Sequence, residues 1–137
     1  MKLFETQNLL QLFFNQCEKQ NEKKIFIESL KEPSKKYSWK KTKSEVINLS
    51  NEIQLNIEKN DRCLLISENR PEWLISDIAI MLAGGITVPA YATYVERDYE
   101  YIINDCCPSV IIISNNDLYK KIKNIIPKKE FFKKIIF

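Results

Sequence analysis

Three short apolar runs, Cys63-Leu64-Leu65-Ile66, Ile86 to Ala90 and Val110 to Ile113, alternate with two segments of helical periodicity in the middle of this chain. That alternation narrows the fold more than any other feature. A strand covered by helices on both faces reads as a continuous apolar run, because neither set of side chains meets water. Strands separated by helices give a parallel sheet with right-handed crossovers. The expected class is α/β, with a mostly parallel sheet and helices on both faces. Val110 to Ile113, four β-branched residues in a row, is the plainest strand.

The flanking segments fit the same reading. Thr6 can cap a helix running to about Lys19, with Leu9, Phe13 and Cys17 on one face. Ile25-Phe26-Ile27 reads as a short strand, residues 31–36 with Pro33 as a turn, and Tyr37 as the start of a second extended piece. Ser38 can cap a helix to about Leu55 whose inward stripe is Val46, Leu49 and Ile53. After the strand at 62–67, Asn69 and Glu72 have the spacing of a capping box. Pro71 falls in the first helical turn, where its missing N–H costs nothing. Trp73, Ile78 and Met81, with Leu74 and Leu82, form the apolar face of that helix. Gly84-Gly85 ends it, one of them at positive φ. A helix over 96–105 turns Tyr99, Ile102 and Ile103 inward and stops at Cys107-Pro108. A last helix spans 116–125, and Phe131 to Phe137 begins another strand.

The chain has 137 residues, 45% of them hydrophobic, which suits one domain with a core. Its net charge is +3, and Arg62, Arg70 and Arg97 are the only arginines. A nucleic-acid surface would concentrate arginine and aromatics on one face, so no nucleic-acid partner is expected. The lysines between Lys120 and Lys134 read as a solvated face around Ile122, Ile125 and Ile126. There is no histidine, and Cys17, Cys63, Cys106 and Cys107 lack metal-finger spacing. No structural disulfide is expected. Trp73 to Val95 carries one charge, Asp77, but Gly84-Gly85 and Pro89 interrupt it, so it reads as a buried helix and strand. The expected location is cytoplasmic, peripheral to a membrane at most.

The stretch SENRPEW, Ser67 to Trp73, lies beyond the carboxyl end of a strand, where open α/β sheets bind ligands. It also opens a helix, whose N-terminus favours anions. Arg70 can hold a phosphate or carboxylate there, or it can anchor a neighbouring segment to the helix start. The turn has no glycine to let the backbone approach a phosphate. Gly84 and Gly85 are the only glycines, so neither a phosphate loop nor a dinucleotide fingerprint exists. A small nucleotide-binding α/β protein is therefore disfavoured. Nothing nearby in sequence activates Cys106 or Cys107. No catalytic, cofactor-binding or metal-binding residue is assigned.

The co-linear set Ser67, Glu68, Asn69, Arg70, Pro71, Glu72 and Trp73, then Ala83-Gly84-Gly85, Val88-Pro89, Tyr91, Thr93, Tyr101-Ile102 and Asn104-Asp105 resembles the N-terminal region of long-chain fatty-acid–CoA ligases. These are AMP-forming members of the adenylate-forming superfamily. The resemblance is strongest over 61–114 and extends over about 6–137. Ala92 stands where the family pattern has proline, and Val95 where it has a helix-capping Ser or Thr. The resemblance implies that residues 1–137 are a partial, incomplete N-terminal subdomain and that the motif residues are mainly structural. It implies a complete enzyme that joins fatty acid to CoA using ATP and Mg, with this chain alone binding no cofactor and catalytically incomplete. Its partners would be the remaining domains of the ligase, missing or on another chain. The alternative is a free-standing, non-enzymatic interaction module or a split-enzyme subunit derived from this subdomain.

Overall fold

The computed structural model describes residues 8–126 and 132–136. The elements run α1 (Leu9–Lys19), β1 (Ile25–Glu28), β2 (Lys36–Ser38), α2 (Trp39–Gln54), β3 (Arg62–Ser67), α3 (Pro71–Leu82), β4 (Ile86–Tyr91), α4 (Glu96–Cys106), β5 (Val110–Ile113), α5 (Asn116–Ile122) and β6 (Lys134–Ile136). β1 and β2 pair antiparallel, and the other four strands form a separate sheet in the order β4-β3-β5-β6, with every pairing parallel. The expected parallel sheet is therefore present, with β3 at its centre.

The alternation of side chains along β3 and β5 divides the core in two. Cys63, Leu65, Val110 and Ile112 pack with Val46 and Ile53 of α2 and with Ile75, Ile78 and Ala79 of α3. Leu64, Ile66, Ile111 and Ile113 pack on the other face with Tyr99 and Ile103 of α4 and Leu118 and Ile122 of α5. Both faces of these strands are dry, which is why their sequences are apolar throughout. An aromatic group of Phe13, Phe26 and Trp39 ties α1 to the β1–β2 pair, with the Phe26 and Trp39 rings 4.0 Å apart.

The crossovers divide in the same way. The chain steps from β3 to β4 through α3 on one face, then back across β3 to β5 through α4 on the other. It continues outward to β6 past α5, on the same face as α4. Reversing the direction of travel requires changing faces if every crossover is right-handed.

Several local expectations need correction. Thr6 lies outside the described residues, and α1 is capped by Asn8, whose Oδ1 accepts the Gln11 N–H at 2.9 Å. Asn69 and Glu72 form no capping box. Arg70 is the N-cap residue and has no side-chain cap bond, and Pro71 is the first helical residue. Glu72 is thus one place too early in the helix to reach back, and its carboxylate is taken by other partners. The buried face of α3 centres on Ile75, Ile78 and Ala79, while Trp73, Leu74, Met81 and Leu82 are only half-buried at its margins. α5 ends at Ile122, three residues short of the expected Ile125. The final strand is confined to Lys134–Ile136, and Phe131 and Phe137 lie outside the described residues. Ser38 does cap α2, accepting the Lys41 N–H at 3.1 Å.

The two glycines end α3 through a double bond pattern. The Gly85 N–H donates to the Ile80 carbonyl at 3.0 Å and the Gly84 N–H to Met81 at 3.1 Å, the pairing of a Schellman motif. Gly84 has φ +88°, with open space where a Cβ would stand. Gly85 has the opposite constraint: its Cβ would lie 3.1 Å from Ile57 Cδ1 and Ile80 Cγ2 and 3.2 Å from Cys63 Sγ. We expect Gly84→Ala to cost about 1 kcal/mol through backbone strain, and Gly84→Asn to cost less, because asparagine tolerates positive φ. At Gly85 the order reverses, with Ala costing about 1–3 kcal/mol through overpacking and Asn more. Denaturant midpoints of the four variants check this; the same order at both positions would refute the two separate causes.

Candidate functional site

The turn after β3 leaves the sheet where the strand order reverses, between the carboxyl ends of β3 and β5. In doubly wound sheets this crevice is the usual ligand position. Here side chains bridge the two strand ends. The Glu68 carboxylate accepts the Ser114 hydroxyl at 2.5 Å and the Asn115 amide at 2.6 Å. Asn115 in turn caps α5, its Oδ1 accepting the Leu118 N–H at 2.9 Å. Burial pushes the Glu68 carboxyl upward, but the bonds from Ser114, its own backbone and Asn115, with the nearby Arg70 charge, hold it below the usual carboxylate range. The Glu68 carboxylate is therefore held in its charged form between the ends of β3 and β5.

Four residues on, Glu72 gathers a second set of donors. Its Oε1 accepts the Tyr37 hydroxyl at 2.8 Å and pairs with Lys35 Nζ at 3.0 Å, while its Oε2 takes Arg70 Nε at 2.8 Å. Burial again pushes the carboxyl up. The hydrogen bonds from Arg70, its own backbone N–H, Lys35 and Tyr37 outweigh that and hold it far below its ordinary value. The Tyr37 phenol responds in the opposite sense, raised to about 12 by burial and by its bond to Glu72. Arg70 is thus committed to an intramolecular pair, so of its two possible roles the structure shows the anchoring one. A third carboxylate, Asp61, does similar work at the amino end of the sheet. It accepts Ser109 Oγ at 2.7 Å and the Glu58 N–H at 3.0 Å.

The motif residues do not converge on one site. Ser67, Glu68, Arg70, Pro71, Glu72 and Trp73 build the turn and the start of α3, while Asn69 is exposed. Pro89 is exposed on β4, an edge of the four-stranded sheet, where a missing N–H is tolerated. Tyr91 and Tyr101 are each 71% exposed, and Thr93, Asn104 and Asp105 are also on the surface. Tyr101, Asn104 and Asp105 share one outward face of α4 by their spacing. Sequence reasoning missed Lys35, Ser114 and Asn115 entirely, and it read Tyr37 only as a strand start. Their roles depend on partners 35 to 47 positions away, and no local pattern marks such pairings.

The remaining chemistry is quiet. Burial pushes the Cys63 thiol to about 12 and the Cys106 thiol to about 11, away from thiolate reactivity. All four cysteines are free. Among the described residues no group of His, Cys, Asp and Glu side chains could hold a metal ion, and no helix is long and apolar enough to cross a membrane. A groove of about 480 Å³ opens beside the turn, between α2 and the carboxyl ends of β3, β5 and β6.

The two carboxylates make stability acid-sensitive in a defined direction. Their folded pKa values lie below the unfolded value, about 4.3 for Glu, so their contribution is complete above that pH and is lost as pH falls through the folded values. We expect the melting temperature to fall as pH drops below about 4.3. Glu72→Gln should cost about 1–3 kcal/mol at neutral pH and flatten the acid limb. Melts of both proteins between neutral pH and pH 3 check this; parallel acid limbs would remove Glu72 as a cause.

Comparison with known proteins places this geometry in a family. Fatty acyl-CoA synthetase A of Dictyostelium discoideum is 34% identical over 88 residues, covering 61% of this chain and 13% of that protein. Human long-chain-fatty-acid–CoA ligase ACSBG1 is 27% identical over 84 residues, covering 61% of this chain and 12% of the relative. The chain thus spans about an eighth of the length of these curated relatives. Among solved structures, the anthranilate CoA ligase AuaEII in complex with anthranoyl-AMP superposes with a TM-score of 0.77 at 19% identity, over 92% of this chain and 24% of that one. The N-terminal subdomain of Klebsiella oxytoca NpsA gives 0.68 at 15% identity, over 89% of this chain and 29% of that one. At these identities the structures establish the fold, that of N-terminal subdomains of adenylate-forming enzymes. The AMP-binding enzyme family model matches residues 13–136, nearly the whole described chain, and the protein belongs to that family.

Proposed function

We propose that these 137 residues are the first part of a long-chain fatty acid:CoA ligase and are catalytically incomplete by themselves. The complete enzyme would convert fatty acid, ATP and CoA to acyl-CoA, AMP and pyrophosphate with Mg, and ATP, Mg and CoA would bind largely outside this chain. The observation that carries the reading is the side-chain bridge at the switch point. Glu68, held by Ser114 and Asn115, puts a fixed negative charge where the sheet would otherwise receive a nucleotide phosphate. Adenylation depends on preorganised donors aimed at developing negative charge. In this turn Arg70 Nε, Lys35 Nζ and the Tyr37 hydroxyl each already engage Glu72. Ser67 to Trp73 therefore serves as a structural joint that sets β3, α3 and β5 for the rest of the ligase. The 34% identity to a fatty acyl-CoA synthetase supports the acyl substrate class.

One observation favours the rival reading, a free-standing interaction module or split-enzyme subunit. The central strands are buried on both faces by the chain's own helices, so a complete two-sided core exists within it. Two measurements separate the readings. Fatty-acid-dependent exchange of labelled pyrophosphate into ATP should be absent from residues 1–137 and present in a chain extended through the remaining ligase domains. Exchange by the short chain alone would overturn the proposal. The short chain should also associate or bind a hydrophobic dye, because its sheet has an uncovered edge at β4 and large apolar side chains such as Leu55 and Tyr91 are exposed. A sharp cooperative melt from a clean monomer would favour the module.

A further inference from the structure

Lys121 departs from the solvated lysine face expected around it. It is half-buried on α5, and its Nζ donates to two main-chain carbonyls, Ala92 at 2.9 Å and Tyr94 at 3.2 Å. A second donor reaches the same turn from another helix. The hydroxyl of Tyr99, fully buried on α4, donates to the Tyr91 carbonyl at 2.7 Å. Burial, with the charges of Asp98 and Glu68 nearby, raises that phenol to about 12, so it remains a donor at neutral pH. The Tyr94 ring meets those of Tyr91 and Tyr99 edge to face, with centroids 5.4 and 6.0 Å away. Residues 91–94 are thus held through their carbonyls by α4 and α5 together.

A β-turn does not need this much support. The Tyr94 N–H already closes it on the Tyr91 carbonyl at 3.2 Å. Carbonyls of an exposed turn can bond water instead, and ordering a lysine side chain costs rotamer freedom. What the two donors add is fixed geometry, the condition for a loop to position a ligand. The turn also lies at the ligand end of the sheet. It follows the carboxyl end of β4, whose parallel neighbour β3 leads to Glu68. Its chemistry is selective. Tyr91 to Val95 carries no charge, Tyr91 and Val95 are exposed, and Glu96 and Asp98 follow in the first turn of α4. Uncharged aromatic and apolar side chains beside two carboxylates suit a hydrocarbon chain and disfavour a phosphate.

We propose that Lys121 and Tyr99 are positioning residues for the acyl substrate, holding the Tyr91–Tyr94 turn as a fixed lip against which the hydrocarbon chain of a fatty acid lies. The inference rests on the reading of the chain as part of a ligase and names residues that serve its acyl side. The test uses the chain extended through the remaining ligase domains, carrying Lys121→Met, Lys121→Arg, Tyr99→Phe or, as a control at an exposed neighbour, Lys120→Met. Pyrophosphate exchange is measured as palmitate and ATP are varied in turn. Lys121→Met should raise the KM for palmitate about tenfold, with kcat and the KM for ATP within about twofold of the parent. Lys121→Arg should recover most of that loss, because it keeps the charge and the donors. Tyr99→Phe removes a single hydroxyl and should move the palmitate KM in the same direction; it carries the test where Lys121→Met does not fold. Hydrogen exchange at the Tyr94 amide should quicken in Lys121→Met, and Lys120→Met should match the parent throughout. An unchanged palmitate KM, an equal rise in the KM for ATP, no recovery with arginine, or the same effect from Lys120→Met would each overturn the positioning role. The two readings fail separately. An active parent whose Lys121 and Tyr99 variants keep the palmitate KM leaves the ligase assignment and removes this role. A folded extended chain with no fatty-acid-dependent exchange removes the ligase assignment and this role with it.

Discussion

Two carboxylates on either side of Pro71 hold the molecule together. Glu72 joins the β1–β2 unit to the start of α3 by accepting Tyr37 and Lys35 along with Arg70. Glu68 joins β3 to β5 and to the cap of α5. Each oxygen of an ionised carboxylate accepts more than one donor, and charged acceptors bind roughly twice as strongly as neutral ones. A four-residue interval of backbone thus fixes three separately formed parts of the chain. The apolar core supplies adhesion but not this registry, because hydrophobic contact has no direction.

The same bonding decides what the site can do. A doubly wound sheet offers its switch point to ligands because helix starts and open backbone converge there. At that position Glu68 joins the ends of β3 and β5 through Ser114 and Asn115. What remains open is lateral: the groove along α2, the edge of β4, and the outer face of α4 with Tyr101, Asn104 and Asp105. Surfaces of this kind suit contact with more protein, consistent with a chain that covers a quarter of the solved structures sharing its fold.

Most of the fold was legible in the sequence wherever burial is uniform. Cys63 to Ile66 and Val110 to Ile113 lie in strands because apolar side chains line both faces, and both runs are buried in the structure. The Gly84-Gly85 stop was legible because a chain reversal at positive φ has few chemical solutions. The cap of α3 was misread. The spacing of Asn69 and Glu72 matched a capping box, but tertiary donors outcompeted the local acceptor geometry. Asn8 was overlooked as the α1 cap beside Thr6, since both residue types suit the position.

The sequence by itself determined the order of strands and helices, the apolar faces that pack them and the family resemblance, because these depend on periodicity and on short spacings along the chain. Only the tertiary structure decided the roles of Glu68, Glu72 and Arg70. Whether a charged side chain binds a ligand or a neighbour depends on which donors arrive from Lys35, Tyr37, Ser114 and Asn115, and those are brought near by the packing of the sheet rather than by any pattern within the SENRPEW turn.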